Sequence, residues 1–239
     1  MKKLVVLSGA GISAESGIPT FRDINGLWEN HRVEDVATIE GYQRNQKLVI
    51  DFYNQMRKRS SDILPNNAHK ILAELEDDFE VVIITQNVDN LHEKAGSSTV
   101  VHLHGELNKA CSSFEPNNPA YIKTLSDGED IKIGDLAEDG SQLRPYIVWF
   151  GEQVHSMELA CEEVCTADIF LIIGTSLNVY PAAGLIDYVS TDCKVYLIDP
   201  NADKMNVWTD RNIQVNKIAK TATEGMVDFK EIIKTERES

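Results

Sequence analysis

The chain has 239 residues, 42% of them hydrophobic and 26% charged, with 23 Lys and Arg against 38 Asp and Glu and a net charge of −15. That length suits one large domain, or a large domain carrying a small insertion, and the acidity argues against non-specific binding to nucleic acid or anionic membranes. It is compatible with basic, lysine-containing substrates and equally with a charge that serves only solubility. The apolar start at residues 4–7 is too short for a signal-peptide core. No run approaches the roughly 18 apolar residues of a membrane helix. The four cysteines lack the paired spacing of a disulfide framework. The expected location is the cytoplasm.

In chain order, apolar β-branched runs predict strands at residues 3–7, 81–85, 100–103, 146–150, 169–173 and 195–198, all of the fully buried parallel type. Between them, apolar residues spaced at three and four predict helices over 48–58, 68–76, 158–165 and 181–189. This alternation predicts an α/β fold: a doubly wound, Rossmann-like, mostly parallel sheet. Residues 112–143 differ. They are polar, with seven acidic residues against two lysines, and the turn signals Asn117-Asn118-Pro119, Asp127-Gly128 and Asp139-Gly140 mark them as a small inserted subdomain. The end of the chain, 234–239, is expected to fray.

Four strand ends carry small polar groups. After the first comes Ser8-Gly9-Ala10-Gly11-Ile12-Ser13, a glycine turn into a helix N-terminus that suits a phosphate but is equally an ordinary tight turn. Downstream, Gly17-Ile18-Pro19-Thr20-Phe21-Arg22 forms a stiffened loop able to fold over a dinucleotide. Gln86-Asn87-Val88-Asp89 suits a ribose or an amide, or alternatively a helix cap. Gly174-Thr175-Ser176 and Asp199-Pro200-Asn201 follow the last two strands. Alternation along a strand points His102 and His104 to one side. His104, followed by Gly105, is the candidate base, whereas His102 reads as structural, and a metal pair lacks further ligands.

These residues resemble the sirtuins, the NAD-dependent protein lysine deacylases. The resemblance runs in order through Gly9–Ser13, Gly17–Arg22, Gln86–Asp89, His104-Gly105, Val148-Trp149-Phe150-Gly151-Glu152, Gly174–Ser176 and Asn201. Residues 34–38 and 52–54 look most like a bacterial branch whose members often take acidic acyl groups. The resemblance implies NAD as cofactor and acyl-lysine proteins as partners. Gly9, Ala10, Gly11 and Ser13 would hold the phosphates, and Phe21 and Arg22 would lie on the mobile cofactor loop. Gln86, Asn87 and Asp89 would hold the nicotinamide ribose and carboxamide. Gly174, Thr175, Ser176 and Asn201 would bind the adenosine half. Val148, Phe150, Gly151 and Val179 would line the acyl-lysine tunnel. His104, with Asn87 beside it as the second catalytic residue, would deprotonate a ribose hydroxyl. The products would be lysine, nicotinamide and an O-acyl-ADP-ribose.

Two departures bear on these implications. Most family members carry two Cys-x-x-Cys pairs that bind a structural zinc, but this chain has only Cys111 there. No metal is expected, and the insertion is either held by Phe114, Tyr121, Ile122, Leu125, Ile131, Ile133 and Leu136 or mobile. Members that prefer succinyl or malonyl groups carry Tyr-x-x-Arg. Here Tyr53 is followed by Met56, and Arg57 points roughly 100° away on a helix. Neutral acyl groups, acetyl first, are therefore expected. The alternatives are an acidic-acyl deacylase, an NAD-dependent ADP-ribosyltransferase, a non-catalytic NAD-binding module, and a dehydrogenase.

Overall fold

The structure is a computed structural model that describes residues 1–20, 27–28, 31–207, 209 and 213–237. Its strands are β1 (Lys3–Ser8), β2 (Leu27–Trp28), β3 (His31–Arg32), β4 (Glu80–Thr85), β5 (Val100–His102), β6 (Gly105–Ser112), β7 (Lys123–Thr124), β8 (Leu143–Ile147), β9 (Ile169–Ile173), β10 (Lys194–Ile198) and β11 (Val215–Ile218). The α-helices are α1 (Gly11–Ala14), α2 (Val33–Val36), α3 (Ile39–Arg44), α4 (Gln46–Ser60), α5 (Asn67–Glu74), α6 (Leu91–Ala95), α7 (Met157–Cys165) and α8 (Ala222–Arg237).

Six parallel strands form the main sheet in the order β11-β10-β9-β1-β4-β5. The central runs are apolar throughout because both faces are covered. Successive side chains leave opposite faces. Leu4, Val6, Ile83 and Leu171 therefore pack with Leu72 of α5 and Phe229 of α8. Val5, Leu7, Ile84 and Ile172 pack with Val164 of α7 and with Leu185. The segment expected as a helix at 181–189 is a 3₁₀ turn over Ala182–Tyr188. The chain end expected to fray continues α8 to Arg237, because Met226, Phe229 and Ile233 are buried on the sheet.

A second, antiparallel sheet, β7-β6-β8, packs on α4 through Val49, Phe52, Tyr53, Leu107, Ile147 and Trp149. The expected parallel strand at 146–150 is corrected here. Its first residues belong to β8, which runs antiparallel to β6. Its end turns away, and the Phe150 amide donates to the Ala37 carbonyl.

The insertion is held differently from the expectation. Leu125 and Ile131 are buried, but Phe114, Ile133 and Leu136 are 79%, 54% and 60% exposed. A turn-rich segment has few side chains that can face inward, so polar groups close it instead. The Ser112 hydroxyl donates to Asp139 Oδ2 (2.5 Å) and accepts from the Phe114 and Glu115 amides (3.0 and 2.9 Å). Asn54 of α4 clasps Ile131 through both backbone groups.

Beneath β1, the rings of His69 and His92 meet edge to face at 4.9 Å, both buried. His69 Nδ1 bonds to Asn66 Oδ1, while His69 Nε2 and His92 Nδ1 have no partner. Burial pushes His69 down to about 4 and His92 well below the usual range. The unfolded chain therefore takes up these protons first. Stability is full above about pH 6.5 and is lost as pH falls toward 4. For His69 alone the loss is about 3 kcal/mol. Urea melts at pH 7.5 and 5 should show it, and His69→Gln should reduce the difference to the share that His92 contributes; an unchanged slope would refute this account.

Candidate active site

In the main sheet the chain leaves β1 toward β4 and β5 on one side, and later places β9 and β10 on the other. The loops after β1 and β9 thus diverge at a switch point, where open α/β sheets hold their ligands. The loops following β1, β4, β9 and β10, together with His104, line one cleft of about 660 Å³. Every expected site residue lies on it except Phe21 and Arg22, which fall outside the described residues.

The floor depends on bare glycines. The Gly11 amide donates to the Gly174 carbonyl at 2.8 Å. A Cβ on Gly9 would lie 2.7 Å from the Thr175 side chain, and one on Gly11 would lie 2.7 Å from Gly174 Cα. Gly174 itself has φ +63°, and its Cβ would meet the Ile12 amide at 2.3 Å. The glycines therefore serve the approach of two loops to each other as well as the room above them. The Gly11, Ile12 and Ser13 amides all donate to backbone carbonyls, so the single turn of α1 holds fewer open donors than a longer helix start.

One wall is a polar lattice. The Ser13 hydroxyl donates to Asp89 Oδ2 (3.1 Å), and Asn87 Nδ2 reaches Ser13 Oγ and the Gly9 carbonyl (3.2 Å each). Gln86 Nε2 donates to Thr175 Oγ1 (3.0 Å). Asp89 also fulfils the capping alternative, since its Oδ1 accepts the Leu91 amide at the start of α6. Burial pushes its carboxyl up, partly opposed by those hydrogen bonds and by His102.

His104 lies beyond β5, where the strand alternation ends, and lines the cleft, whereas His102 does not. Its Nδ1 lies 2.9 Å from the Gln86 carbonyl. A carbonyl only accepts, so Nδ1 carries the proton and Nε2 keeps its lone pair. Burial lowers the His104 pKa, with the Gln86 bond partly opposing. The ring is thus a neutral acceptor at neutral pH, as a general base requires. The Val148 amide donates to the His104 carbonyl (3.0 Å), which sets this base beside the opposite wall.

That wall is apolar. Tyr53, Met56, Leu107, Val148, Phe150 and Val179 face the cleft. The Tyr53 hydroxyl accepts from Trp149 Nε1 at 3.1 Å. Arg57 is turned into the insertion, donating to the Leu107 and Glu129 carbonyls and to Asn54 Oδ1. No Lys or Arg lines the cleft among the described residues.

Sequence reasoning missed the support behind this wall. The Arg144 guanidinium, buried, pairs with Glu152 (2.9 Å) and sits 3.9 Å over the Trp149 ring, while Glu152 Oε2 accepts the Trp149 amide. Nothing in local periodicity marks a pair eight residues apart. The zinc of most family members does not fit here. Among the described residues no group of three or more His, Cys, Asp or Glu side chains is placed to hold a metal ion, and the Cys111 thiol donates to the Pro145 carbonyl.

The chain matches the Sir2 family description over residues 9–181. It is 59% identical over 234 residues to an NAD-dependent protein deacylase of Bacteroides thetaiotaomicron, covering 98% of each chain. It is 51% identical over 229 residues to the enzyme of that name from Helicobacter pylori, covering 96% of each. A crystal structure of a Sir2 homologue–NAD complex superposes with a TM-score of 0.82 at 34% identity, over 99% of this chain and 91% of that one. By motif, by length and by fold, the chain belongs to the Sir2 family.

Proposed function

We infer that the protein is an NAD-dependent protein lysine deacylase that prefers neutral acyl groups, acetyl first. The observation that carries this is the cleft itself: a neutral His104 with Nε2 free stands between a polar lattice and an apolar wall. Asn87, Asp89, Ser13 and Gln86 present amide, carboxylate and hydroxyl groups that suit a ribose and a carboxamide. Gly9, Ala10 and Gly11 leave room for phosphates, and Gly174, Thr175, Ser176 and Asn201 suit the adenosine half. When bound, NAD supplies a ribosyl carbon that becomes electrophilic as nicotinamide leaves, and the acyl group ends on ADP-ribose.

His104 Nε2 takes a proton from a hydroxyl placed against it, with Asn87 positioned nearby. Val148, Phe150, Gly151 and Val179 enclose the lysine chain and keep water from the reacting atoms. Tyr53 and Met56 close the acyl end. A carboxylate buried there without a cation is strongly disfavoured, and Arg57, the candidate cation beside Met56, is engaged elsewhere.

We read the whole chain as one catalytic unit with 112–143 as a metal-free insertion. It acts in the cytoplasm on basic, lysine-bearing proteins, not on nucleic acid or membranes.

Acetyl-, succinyl- and longer-acyl-lysine peptides, incubated with and without NAD and followed by mass spectrometry, test the reading. Acetyl loss that requires NAD and outpaces succinyl loss is expected. Faster succinyl loss would overturn the acyl preference. ADP-ribose appearing on protein with no acyl loss would replace the deacylase by a transferase.

A further inference from the structure

We infer that His102, held by Glu93, is a positioning residue for NAD: it fixes the Asn87 backbone from behind the cleft so that the Asn87 and Asp89 side chains meet the ribose and carboxamide. This rests on the deacylase reading for what those two side chains hold.

Two imidazoles clamp consecutive carbonyls of one loop. His104 Nδ1 lies 2.9 Å from the Gln86 carbonyl, and His102 Nδ1 lies 3.1 Å from the Asn87 carbonyl. Parallel pairing of β5 with β4 sets Thr85 opposite His102, which brings the ring level with the loop that follows Thr85. The other nitrogen, Nε2, lies 2.7 Å from Glu93 Oε1. Glu93 stands on α6, whose first amide, Leu91 N, donates to Asp89 Oδ1 at 3.0 Å. The contacts close a circuit from Asn87 through His102, Glu93 and α6 back to Asp89. The His102 side chain is 7% exposed and does not line the cleft, so it works through the loop and touches no substrate.

The charge state follows from the partners. A carbonyl and a carboxylate both accept, so both ring nitrogens donate and the ring is an imidazolium. Burial by itself would lower its pKa, but the hydrogen bond and charge of Glu93, helped by Glu106, outweigh that and raise it. Asp89 also faces it, His92 opposes it, and Lys109 faces Glu93. The positive ring draws the buried Asp89 back toward its anionic form. As pH rises through the pKa of His102 the ring loses one donor and its charge, so NAD affinity should fall on the alkaline side.

NAD titration calorimetry and steady-state kinetics with an acetyl-lysine peptide, on the wild type, His102→Ala and Glu93→Gln, decide the matter. His102→Ala should weaken NAD binding about tenfold, the scale of a lost charge-assisted hydrogen bond, with the KM for peptide unchanged. Glu93→Gln keeps an acceptor oxygen and removes only the charge; it should weaken NAD less and move the alkaline fall to lower pH. Should His102→Ala lose its circular dichroism, Glu93→Gln decides alone. Unchanged NAD affinity with an unshifted pH profile, or equal losses for NAD and peptide, overturns the inference and leaves the deacylase reading standing. A wild type that does not bind NAD overturns both.

Discussion

Replacing His104 by alanine is expected to slow NAD-dependent deacetylation by about 10²–10⁴-fold, the usual worth of a positioned general base, while NAD and peptide still bind. The geometry is specific about why. Nδ1 is committed to the Gln86 carbonyl, so only Nε2 can take a proton, and burial keeps it unprotonated. The basic form persists to lower pH than an ordinary histidine allows. The acid limb of kcat/KM should therefore lie below pH 6.5, with activity falling as pH drops through the depressed pKa. A pH–rate profile on the wild type and single-turnover assays on the variant check both. A variant with near wild-type turnover would remove His104 from the chemistry.

The largest stability effect is expected at Glu152→Ala. It leaves Arg144 buried without its counter-charge and strips the Trp149 amide of its acceptor. Breaking a buried pair by removing one partner typically costs about 3–5 kcal/mol. In a chain of this size that corresponds to a fall in Tm of about 6–20 °C. Removing both charges, as Arg144→Met with Glu152→Leu, should cost much less, because no ion is left stranded. Scanning calorimetry on the single and double variants separates the cases. A double variant as unstable as the single one would show that the packing of Arg144 on Trp149, and not the charge, matters there.

The strands that carry the site were legible because they are covered on both faces. The uninterrupted apolar runs of β1, β4, β9 and β10 have no other comfortable place, and each strand end then marks the cleft. β6 and β8 were harder. Gly105–Ser112 mixes Glu, Asn and Lys with apolar residues, and β8 carries Pro145, a residue suited only to an edge strand. β11 is largely exposed, so no apolar run announces it. The apolar stripe of α8, Ala222, Met226, Phe229 and Ile233, has helical spacing and was open to reading, yet stayed unassigned beside the polar tail.

Within the site, residue types were legible and their pairings were not. Ser13 with Asp89 and Gln86 with Thr175 join distant stretches that only the sheet order brings together, and Arg144 with Glu152 spans a turn whose geometry no periodicity gives. His102 shows the limit well. It read as a structural histidine, and its carboxylate partner stands on a helix of five residues that no periodicity reveals.

The corner of the insertion tied by Ser112, Asp139 and Ser141 has a consequence for the redox chemistry open to it. Hydroxyls and a carboxylate close it, and the single thiol nearby, Cys111, is fully buried with burial holding it protonated. Electrophiles and peroxides find no thiolate to attack at that corner.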